Sequence, residues 1–251
     1  MIDPDIPVLA RHRQELEATG ARVVVVSEEA TSTTADKWLT YQFFRRLDVP
    51  TPDSWLPEEA RNTHLEYPVF IKPRFGSAGK HTFKVHNECE LAFFLNYVPD
   101  PIVQEYLPGP EITNDVICDF EGNVLAVVSR QRIEVRWGEV AKGKTIYDPE
   151  IVQQCVTIAK ELKAIGPITV QCMLRDDRPY FTEINPRFGG GVPLGIAAGV
   201  RSPHWFLALA AGLPVKIPPL GSYQIGLYLT RFDDSFFLTE EDHARIASHC
   251  L

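Results

Sequence analysis

Apolar and polar residues recur along this chain in patterns that predict helices and strands throughout its length. Residues 4–19 carry apolar positions at helical spacing, and residues 22–27 form a run of β-branched residues that is typical of a buried strand. Further helices are predicted at 36–47, 88–97, 149–164, 194–200 and 204–211. Further strands are predicted at 68–73, 82–85, 102–107, 111–118, 124–134, 168–174, 180–185 and 224–230, with a loop at 138–144.

Turn-forming residues indicate how some of these strands pair. The polar turn 176–179 predicts a β-hairpin of the strands on either side of it, and the turn 119–123 predicts another. The glycine-bearing loop 74–81 also joins two strands, which gives a hairpin with a mobile basic tip. Pro, Gly and Pro at 108–110 interrupt the next strand and indicate a hinge, since fixed and free dihedrals lie side by side.

The stretch 183–191 carries the first candidate chemistry. Glu183 and Asn185 lie two residues apart at the end of a predicted strand, so their side chains point to the same face. Across the predicted hairpin, Gln171 lies opposite or diagonal to Glu183 and offers a third oxygen. Hard oxygen donors on one face suit Mg²⁺. A strand end with an exposed polar cap has the same pattern, so both interpretations stay open.

Composition narrows the class of protein. The 251 residues are 45% apolar and 23% charged, an ordinary globular mixture at a size that easily buries a core. The formal charge of −8 argues against a nucleic-acid-binding surface. No apolar run approaches the roughly 20 residues of a membrane span, and no signal peptide is visible. The scattered cysteines favour reduced thiols in a cytoplasmic protein: Cys89, Cys118, Cys155, Cys172 and Cys250.

The second candidate is the glycine loop beside Lys72. Backbone N–H groups of such a loop can hold phosphate, but residues 76–81 depart from the P-loop pattern and are by themselves more typical of a turn. Lys72 changes this balance, because a lysine that follows the apolar run 69–71 costs desolvation unless it faces a cleft or a partner. An ATP phosphate is such a partner.

Taken in order, these segments resemble the motifs of the ATP-grasp superfamily over residues 36–230. The motifs are Asp36-Lys37 at a helix start, the strand 70–73 with its glycine loop, the segment 104–107 with Glu111 downstream, Gln171, and the run 183–187. The resemblance is strongest to the ATP-grasp halves of the carbamoyl-phosphate synthase large chain and to small carboxylate–amine ligases. It implies an α+β fold of two α+β lobes that close on ATP and two Mg²⁺ ions, for which Mn²⁺ can substitute.

For nucleotide binding, the resemblance implies phosphate contacts, a lid over the phosphates, an adenine-binding segment and a ribose acceptor. Lys37 and Lys72 would contact the phosphates, and Gly76, Ser77 and Gly79 would form the lid. The adenine-binding segment would be Gln104, Glu105, Tyr106 and Leu107, and Glu111 would accept from the ribose hydroxyls.

For metal binding and catalysis, the resemblance implies that Gln171 and Glu183 bind one Mg²⁺ while Glu183 and Asn185 bind the other. Arg187 would steady the transferred phosphoryl group, which makes Glu183, Asn185 and Arg187 the catalytic set. This agrees with the chemistry, because phosphoryl transfer needs positioning and charge neutralisation more than covalent help.

Further basic residues fall where the resemblance implies binding of the substrate acid: Arg130, Arg132, Arg136 and Lys142. Alternating charges on a strand are more typical of a solvated face, so substrate contact is the less favoured interpretation. Among the seven histidines, His81 in the predicted lid is the candidate for a role.

The implied organisation has three units: an N-terminal remnant at 1–35, an ATP-grasp N-terminal lobe with the lid at 36–105, and a C-terminal lobe at 106–251. The remnant is predicted to hold the last helix and strand of a truncated Rossmann-like layer. A homo-oligomer or a partner chain would then complete the acceptor pocket.

The expected function is that of an ATP- and Mg²⁺-dependent ligase. It would convert a small-molecule carboxylate to an acylphosphate and join it to an amine or ammonia. Two alternatives stay open: a bicarbonate-activating enzyme of the carbamoyl-phosphate synthase kind, and a nucleotide-binding subunit without turnover of its own. Neither a nucleic-acid nor a membrane partner is expected.

Overall fold

The computed structural model describes residues 3–76, 79–136 and 138–247 as helices packed on two antiparallel sheets. The helices are α1 (Ile6–Arg11), α2 (Arg13–Ala18), α3 (Glu28–Ala35), α4 (Lys37–Arg46), α5 (Pro57–Asn62), α6 (Glu88–Tyr97), α7 (Pro149–Glu161), α8 (Val192–Ala197), α9 (Ser202–Ala210) and α10 (Glu240–Ala247). The strands are β1 (Ser54–Trp55), β2 (Val69–Pro73), β3 (Phe83–Val85), β4 (Pro101–Glu105), β5 (Glu111–Cys118), β6 (Val124–Arg136), β7 (Glu139–Ile146), β8 (Gly166–Arg175), β9 (Arg178–Asn185) and β10 (Tyr228–Thr230).

The smaller sheet has four strands in the order β1-β4-β2-β3. Its apolar face packs against α5 and α6, where Ile71 and Val103 of the sheet meet Leu91 of α6. Phe70 pairs with Gln104 in the neighbouring strand. Because successive residues of a strand point to opposite faces, Lys72 and Gln104 share the face that is turned away from this apolar cluster.

The larger sheet has six strands in the order β10-β7-β6-β5-β8-β9. One face is covered by α7, where Ile151 and Ile158 join Ile112, Val116 and Ile168 of β5 and β8 in the main core. The amphipathic pattern of α7 places its buried residues on a single side, as expected for a helix that covers a sheet. Except for Asn114, which lies on the core face beside Cys172, the polar residues of β5, β8 and β9 are left for the other face.

The hairpin of β8 and β9 confirms the pairing predicted from the turn at 176–179. Asp176 and Asp177 both have positive φ angles, 50° and 60°, as a two-residue hairpin turn of the primed type requires. Gln171 lies directly opposite Glu183. The register shifts by one residue between Gln171 and Cys172, and this shift brings Glu183 opposite Gln171. Asn185, two residues later, ends the strand on the same face.

The N-terminal segment packs into the main core, but its predicted strand is wrong. Ile6 of α1 is fully buried there. Residues 22–27 are not a strand, because no described strand runs beside them to form a ladder. The guanidinium of Arg13 instead donates to the carbonyls of Val23, at 3.0 Å, and Val25. The segment predicted as a Rossmann-like remnant therefore consists, in its described part, of helices and one extended segment.

The loop predicted at 138–144 is a strand instead. Gly143 in β7 pairs with Arg132 on one side and with Leu229 of β10 on the other. A glycine among lysines is a weak strand former by local propensity. Pairing on both edges supplies the ladder that overrides that preference.

Two smaller expectations concern membranes and thiols. None of the described helices combines the length and apolarity needed to cross a bilayer. Cys89, Cys118, Cys155 and Cys172 are free thiols, and Cys250 lies outside the described residues.

Candidate functional site

A cavity of about 950 Å³ is lined by residues of both sheets. The predicted site residues that line it are Lys37, Lys72, Gly76, Gly79, Gln104, Glu105, Tyr106, Leu107, Glu111, Gln171, Glu183, Asn185 and Arg187. Ser77 lies outside the described residues. His81 lines the cavity as well. Strand β4 ends at Glu105, so the predicted strand 102–107 is too long and Tyr106 begins the connection to the larger sheet.

Lys72 is the buried cation of this cavity, with 7% of its surface exposed. Its Nζ donates to Gln104 Oε1 at 3.1 Å, and Gln104 donates in turn to Ser54 Oγ at 2.9 Å. Desolvation lowers the pKa of Lys72 to about 8, and Lys37 contributes in the same direction, while the carboxylates of Glu183 and Glu111 oppose the shift. An anionic ligand in the cavity would reverse this penalty by favouring the charged amine.

Lys37 begins α4 and is tied to the glycine loop. Its Nζ donates to the carbonyl of Gly76 at 2.7 Å. The preceding residue, Asp36, caps the helix by accepting from Trp38 N at 2.9 Å. Asp36 also accepts two hydrogen bonds from Arg74, at 2.7 Å and 2.6 Å. The start of α4 therefore holds the root of the loop and places Lys37 at the mouth of the cavity.

The end of the β8–β9 hairpin gathers the predicted metal ligands. Asn185 Nδ2 donates to Gln171 Oε1 at 3.1 Å, and Gln171 Nε2 donates to Glu111 Oε1. Glu183 lies beside them with no hydrogen bond or ion pair to any residue that the structure describes. A half-buried carboxylate without a partner is costly to desolvate, so this position favours a cationic ligand.

Glu111, the predicted ribose acceptor, is already engaged on one oxygen. Arg132 Nη1 donates to its Oε1 at 2.5 Å, and Gln171 uses the same oxygen. An ionised carboxylate accepts at both oxygens. Oε2 makes no hydrogen bond within the described residues, so this oxygen remains for a ligand.

The four basic residues considered as candidates for binding the substrate acid divide into two groups. Arg130 and Arg132 line the cavity, but each is paired with a carboxylate, Asp115 and Glu111 respectively. Neither Arg136 nor Lys142 appears among the described residues of the cavity wall; both pair with Glu134, at 2.8 Å and 2.7 Å, near the surface. Arg136 and Lys142 therefore belong to a solvated face. Arg130 does not, because its side chain is only 2% exposed.

The Arg130–Asp115 pair supports the glycine stretch after β9. Arg130 Nε and Nη2 donate to the two oxygens of Asp115 at 2.7 Å and 2.8 Å, and both side chains are almost fully buried. A Cβ on Gly191 would lie 1.9 Å from Arg130 Nη1, and one on Gly190 would lie 1.7 Å from Glu139 Oε2. Gly191 requires glycine because the buried guanidinium of Arg130 lies against its backbone, whereas the exposed carboxylate of Glu139 at Gly190 can move aside.

Sequence reasoning missed Asp115 as a partner of this site. A signal was available, since the predicted hairpin around 119–123 places an acid and a base diagonally across neighbouring strands. The structure pairs Thr113 with Arg130, so Asp115 is the diagonal neighbour. Thr113, Thr169 and Glu139 also line the cavity and carried no distinctive pattern in the sequence.

Replacing Gly191 by Ala is expected to lower the free energy of unfolding by about 2–4 kcal/mol, because the new methyl group must displace a buried ion pair. Urea unfolding measures the change. Gly195→Ala in α8 is the matched control, since its Cβ would lie 3.4 Å from Val128 of β6, an ordinary van der Waals contact. Equal effects in the two variants would contradict the close approach at Gly191.

Comparison with known proteins identifies the family. A family model described as an ATP-grasp domain matches residues 34–191, more than half of the chain. Among solved structures, the biotin carboxylase domain of Hydrogenobacter thermophilus 2-oxoglutarate carboxylase, crystallised as a dimer with MgADP, ADP and bicarbonate, is 22% identical. Its TM-score is 0.72, and the match covers 88% of this chain and 54% of that one.

Two ligases have the same fold. The L-amino acid ligase from Bacillus licheniformis is 21% identical with a TM-score of 0.63, and the match covers 83% of this chain and 54% of that one. The D-alanine–D-alanine ligase from Bacillus anthracis is 18% identical with a TM-score of 0.58, and the match covers 80% of this chain and 74% of that one. The chain spans about half the length of the biotin carboxylase domain and of the L-amino acid ligase. With the motifs gathered in one cavity and the family model matched across both sheets, this chain belongs to the ATP-grasp family.

Proposed function

We propose that the chain is an ATP- and Mg²⁺-dependent ligase that activates a carboxylate and joins it to an amine or ammonia. One observation carries the proposal. The buried cation Lys72 of the smaller sheet and the unpartnered carboxylate Glu183 of the larger sheet line the same cavity, close enough for Glu183 to raise the pKa of Lys72. Separated charges of this kind suit a ligand that brings both phosphate and a metal ion.

For the nucleotide, Lys72 and Lys37 are proposed to hold the phosphates, with the loop around Gly76 and Gly79 above them. Lys37 is already bonded to the loop through Gly76, so phosphate binding and loop position would be coupled. The segment 104–107 would contact adenine, and the free oxygen of Glu111 would accept from a ribose hydroxyl. Glycine backbone N–H groups suit close approach to phosphate.

For the metal, the donor set fits Mg²⁺. Glu183 supplies one carboxylate and Asn185 and Gln171 supply amide oxygens, while no cluster of three His, Cys, Asp or Glu occurs in the described chain. Mg²⁺ is commonly held by one or two carboxylates together with substrate phosphates, and it would neutralise charge on the transferred phosphoryl group. Two ions shared through Glu183 remain a proposal, as does substitution by Mn²⁺.

The proposed reaction has two balanced steps. A carboxylate oxygen of the substrate attacks the γ-phosphorus of ATP, and the bond to the β,γ-bridging oxygen breaks to release ADP. An amine nitrogen then attacks the acyl carbon, phosphate leaves, and the amine proton passes to solvent. Arg187 would stabilise charge on the phosphoryl oxygens during the first step, by a guanidinium fork that matches their geometry.

ADP release tests this function across a panel of amino acids, other carboxylates and bicarbonate, each with and without an amine. Turnover that requires both a carboxylate and an amine supports the proposal. Bicarbonate-dependent turnover would replace it with the bicarbonate-activating alternative, and ATP binding without turnover on any acid would favour a nucleotide-binding subunit.

ATP affinity is expected to fall as pH rises through about 8. In the free protein the pKa of Lys72 is lowered to about 8, and ATP phosphates favour its charged form, so binding takes up a proton above that pH. The affinity should weaken by up to about tenfold per pH unit through this group. Calorimetric titration of MgATP between pH 7 and 9.5 measures the slope. The slope should disappear in Lys72→Met and persist in the exposed control Lys160→Met; equal slopes in all three proteins would contradict the assignment.

A further inference from the structure

The N-terminal segment reaches the proposed catalytic arginine. Arg187 Nε donates to Asp3 Oδ1 at 2.5 Å, and Arg187 Nη2 donates to Asp3 Oδ2 at 2.8 Å. This is a bidentate carboxylate–guanidinium pair between residues 184 positions apart. The two side chains are 31% and 22% exposed, so the pair is half-buried. Such a pair fixes the plane of a guanidinium more firmly than a single contact does.

Asp3 contacts Arg187 from outside the cavity. Arg187 is part of the cavity wall, whereas Asp3 does not appear among the described residues that form this wall. Asp3 therefore does not occupy the space in which a phosphoryl group would lie. A third donor, Arg187 Nη1, is bonded to the carbonyl of Phe188 at 3.0 Å. Since a guanidinium carries five N–H donors, two are left without a bond among these contacts.

The segment that carries Asp3 is anchored. Asp3 begins a short 3₁₀ turn that leads directly into α1, and Ile6 at the start of α1 is fully buried in the main core. Asp3 is thus fixed within three residues of a core contact. A strap that opens and closes would lack such an anchor, so the geometry favours permanent support over a gate.

We propose that Asp3 is a positioning residue that holds Arg187 with its remaining N–H groups directed at the transferred phosphoryl group. The inference rests on the proposed function of the cavity. It gives the N-terminal segment, which precedes the family match at residues 34–191, a role in the site. Asp3 acts through Arg187 and does not itself contact substrate.

The test compares ground-state and transition-state-like complexes. MgADP is titrated with and without aluminium fluoride, which mimics the transferred phosphoryl group. Asp3→Asn should bind MgADP within about twofold of the unmodified protein but lose about tenfold to hundredfold of the affinity gained with aluminium fluoride, the scale expected for a misplaced catalytic group. Where turnover is measurable, kcat should fall with little change in KM for ATP. A purely structural role of Asp3 would not separate the affinity for MgADP from the affinity gained with aluminium fluoride, or kcat from KM.

Three further variants sharpen the interpretation. Arg187→Ala should lose the same gain, and the double variant with Asp3→Asn should be no worse than Arg187→Ala, because Asp3 acts through Arg187. Glu28→Gln is the control, since it removes another N-terminal carboxylate from an exposed pair with Arg11. Fully additive losses, or an Asp3→Asn protein that behaves like the unmodified one, would overturn the inference.

A ligand-free measurement separates failure of this inference from failure of the proposed function. Phenylglyoxal modification of Arg187, followed by mass spectrometry, reports how firmly the guanidinium is held. Faster modification in Asp3→Asn than in Glu28→Gln is expected, and equal rates would overturn the inference. If the protein binds no MgADP, the proposed function fails, and the modification rates still decide whether Asp3 holds Arg187.

Discussion

Replacing Glu183 by Gln is expected to reduce Mg²⁺-dependent ADP release by about 10²- to 10³-fold, the range for removing one electrostatic stabiliser from an active site. The substitution keeps the shape of the side chain and removes its charge. The Glu183 side chain has no hydrogen bond or ion pair to any other described residue, so the change removes only its longer-range attraction to Lys72 and Arg187. The loss should therefore appear in activity and metal dependence, with little loss of stability.

Three measurements separate this effect from damage to the fold. Thermal unfolding of Glu183→Gln should stay close to that of the unmodified protein, because no side-chain hydrogen bond or ion pair is lost and the attraction to Lys72 and Arg187 acts over a longer distance. The Mg²⁺ concentration for half-maximal turnover should rise. Glu161→Gln, an exposed change at the end of α7, should leave activity unaltered. A fully active Glu183→Gln protein with ordinary Mg²⁺ dependence would remove the metal assignment.

Replacing Lys72 by Met is expected to weaken MgATP binding about tenfold to hundredfold while making the protein more stable. The affinity should fall because a charge-assisted contact to phosphate is lost. The stability should rise by about 1–3 kcal/mol at pH 7, because burial lowers the pKa of Lys72 to about 8 and the charged amine is therefore a cost to the folded state. Loss of the hydrogen bond to Gln104 offsets part of the gain.

Because the pKa of Lys72 is lowered in the folded protein, the gain in stability of Lys72→Met depends on pH. Below about pH 8, Lys72 is protonated in both folded and unfolded protein and the penalty is fully present. Between about 8 and the unfolded value of 10.5, the unfolded chain binds more protons than the folded one, so the unmodified protein gains stability as pH rises. The advantage of Lys72→Met should therefore shrink over this window. Urea unfolding at pH 7 and 9.5 measures it, with Lys160→Met as the exposed control.

Either half of this result can be contradicted separately. Unchanged MgATP affinity in Lys72→Met would remove the phosphate assignment. A variant that is less stable than the unmodified protein at pH 7 would show that the contacts of Lys72 outweigh its desolvation. A charged group that lowers the stability of the protein but binds a ligand is expected at functional sites.

Local signals in the sequence were sufficient for the β8–β9 hairpin and for the face that Glu183 and Asn185 share, but not for the register beyond Cys172. The two aspartates of the turn tolerate positive φ, and the residues on either side alternate as strands do. Once that turn is placed, the face shared by Glu183 and Asn185 follows from the period of a strand. Counting back from the turn would put Thr182 opposite Gln171, and the register shift between Gln171 and Cys172 brings Glu183 there instead. The resemblance to the ATP-grasp motifs then predicted which distant side chains meet in the cavity.

Other features depend on long-range contacts that no local pattern contains. Strand β7 exists because β6 and β10 pair with both of its edges, although Gly143 and its lysines favour a loop. The segment 22–27 has strand-like residues but pairs with none of the described strands, and the side chain of Arg13 donates to the carbonyls of Val23 and Val25 instead. The pair between Asp3 and Arg187 joins residues 184 positions apart. Burial of Arg130 likewise follows from Asp115 and the glycine stretch together.

A crystal structure with Mg²⁺ and the β,γ-imido analogue of ATP tests the central claim most directly. We expect the triphosphate to lie within about 3 Å of the amines of Lys72 and Lys37, with a magnesium ion on the carboxylate of Glu183. Lys72 should then exchange its contact with Gln104 for phosphate oxygen. A nucleotide bound outside the cavity, or bound inside it with Lys72 and Glu183 both out of reach, would contradict the proposal that this cavity is an ATP site.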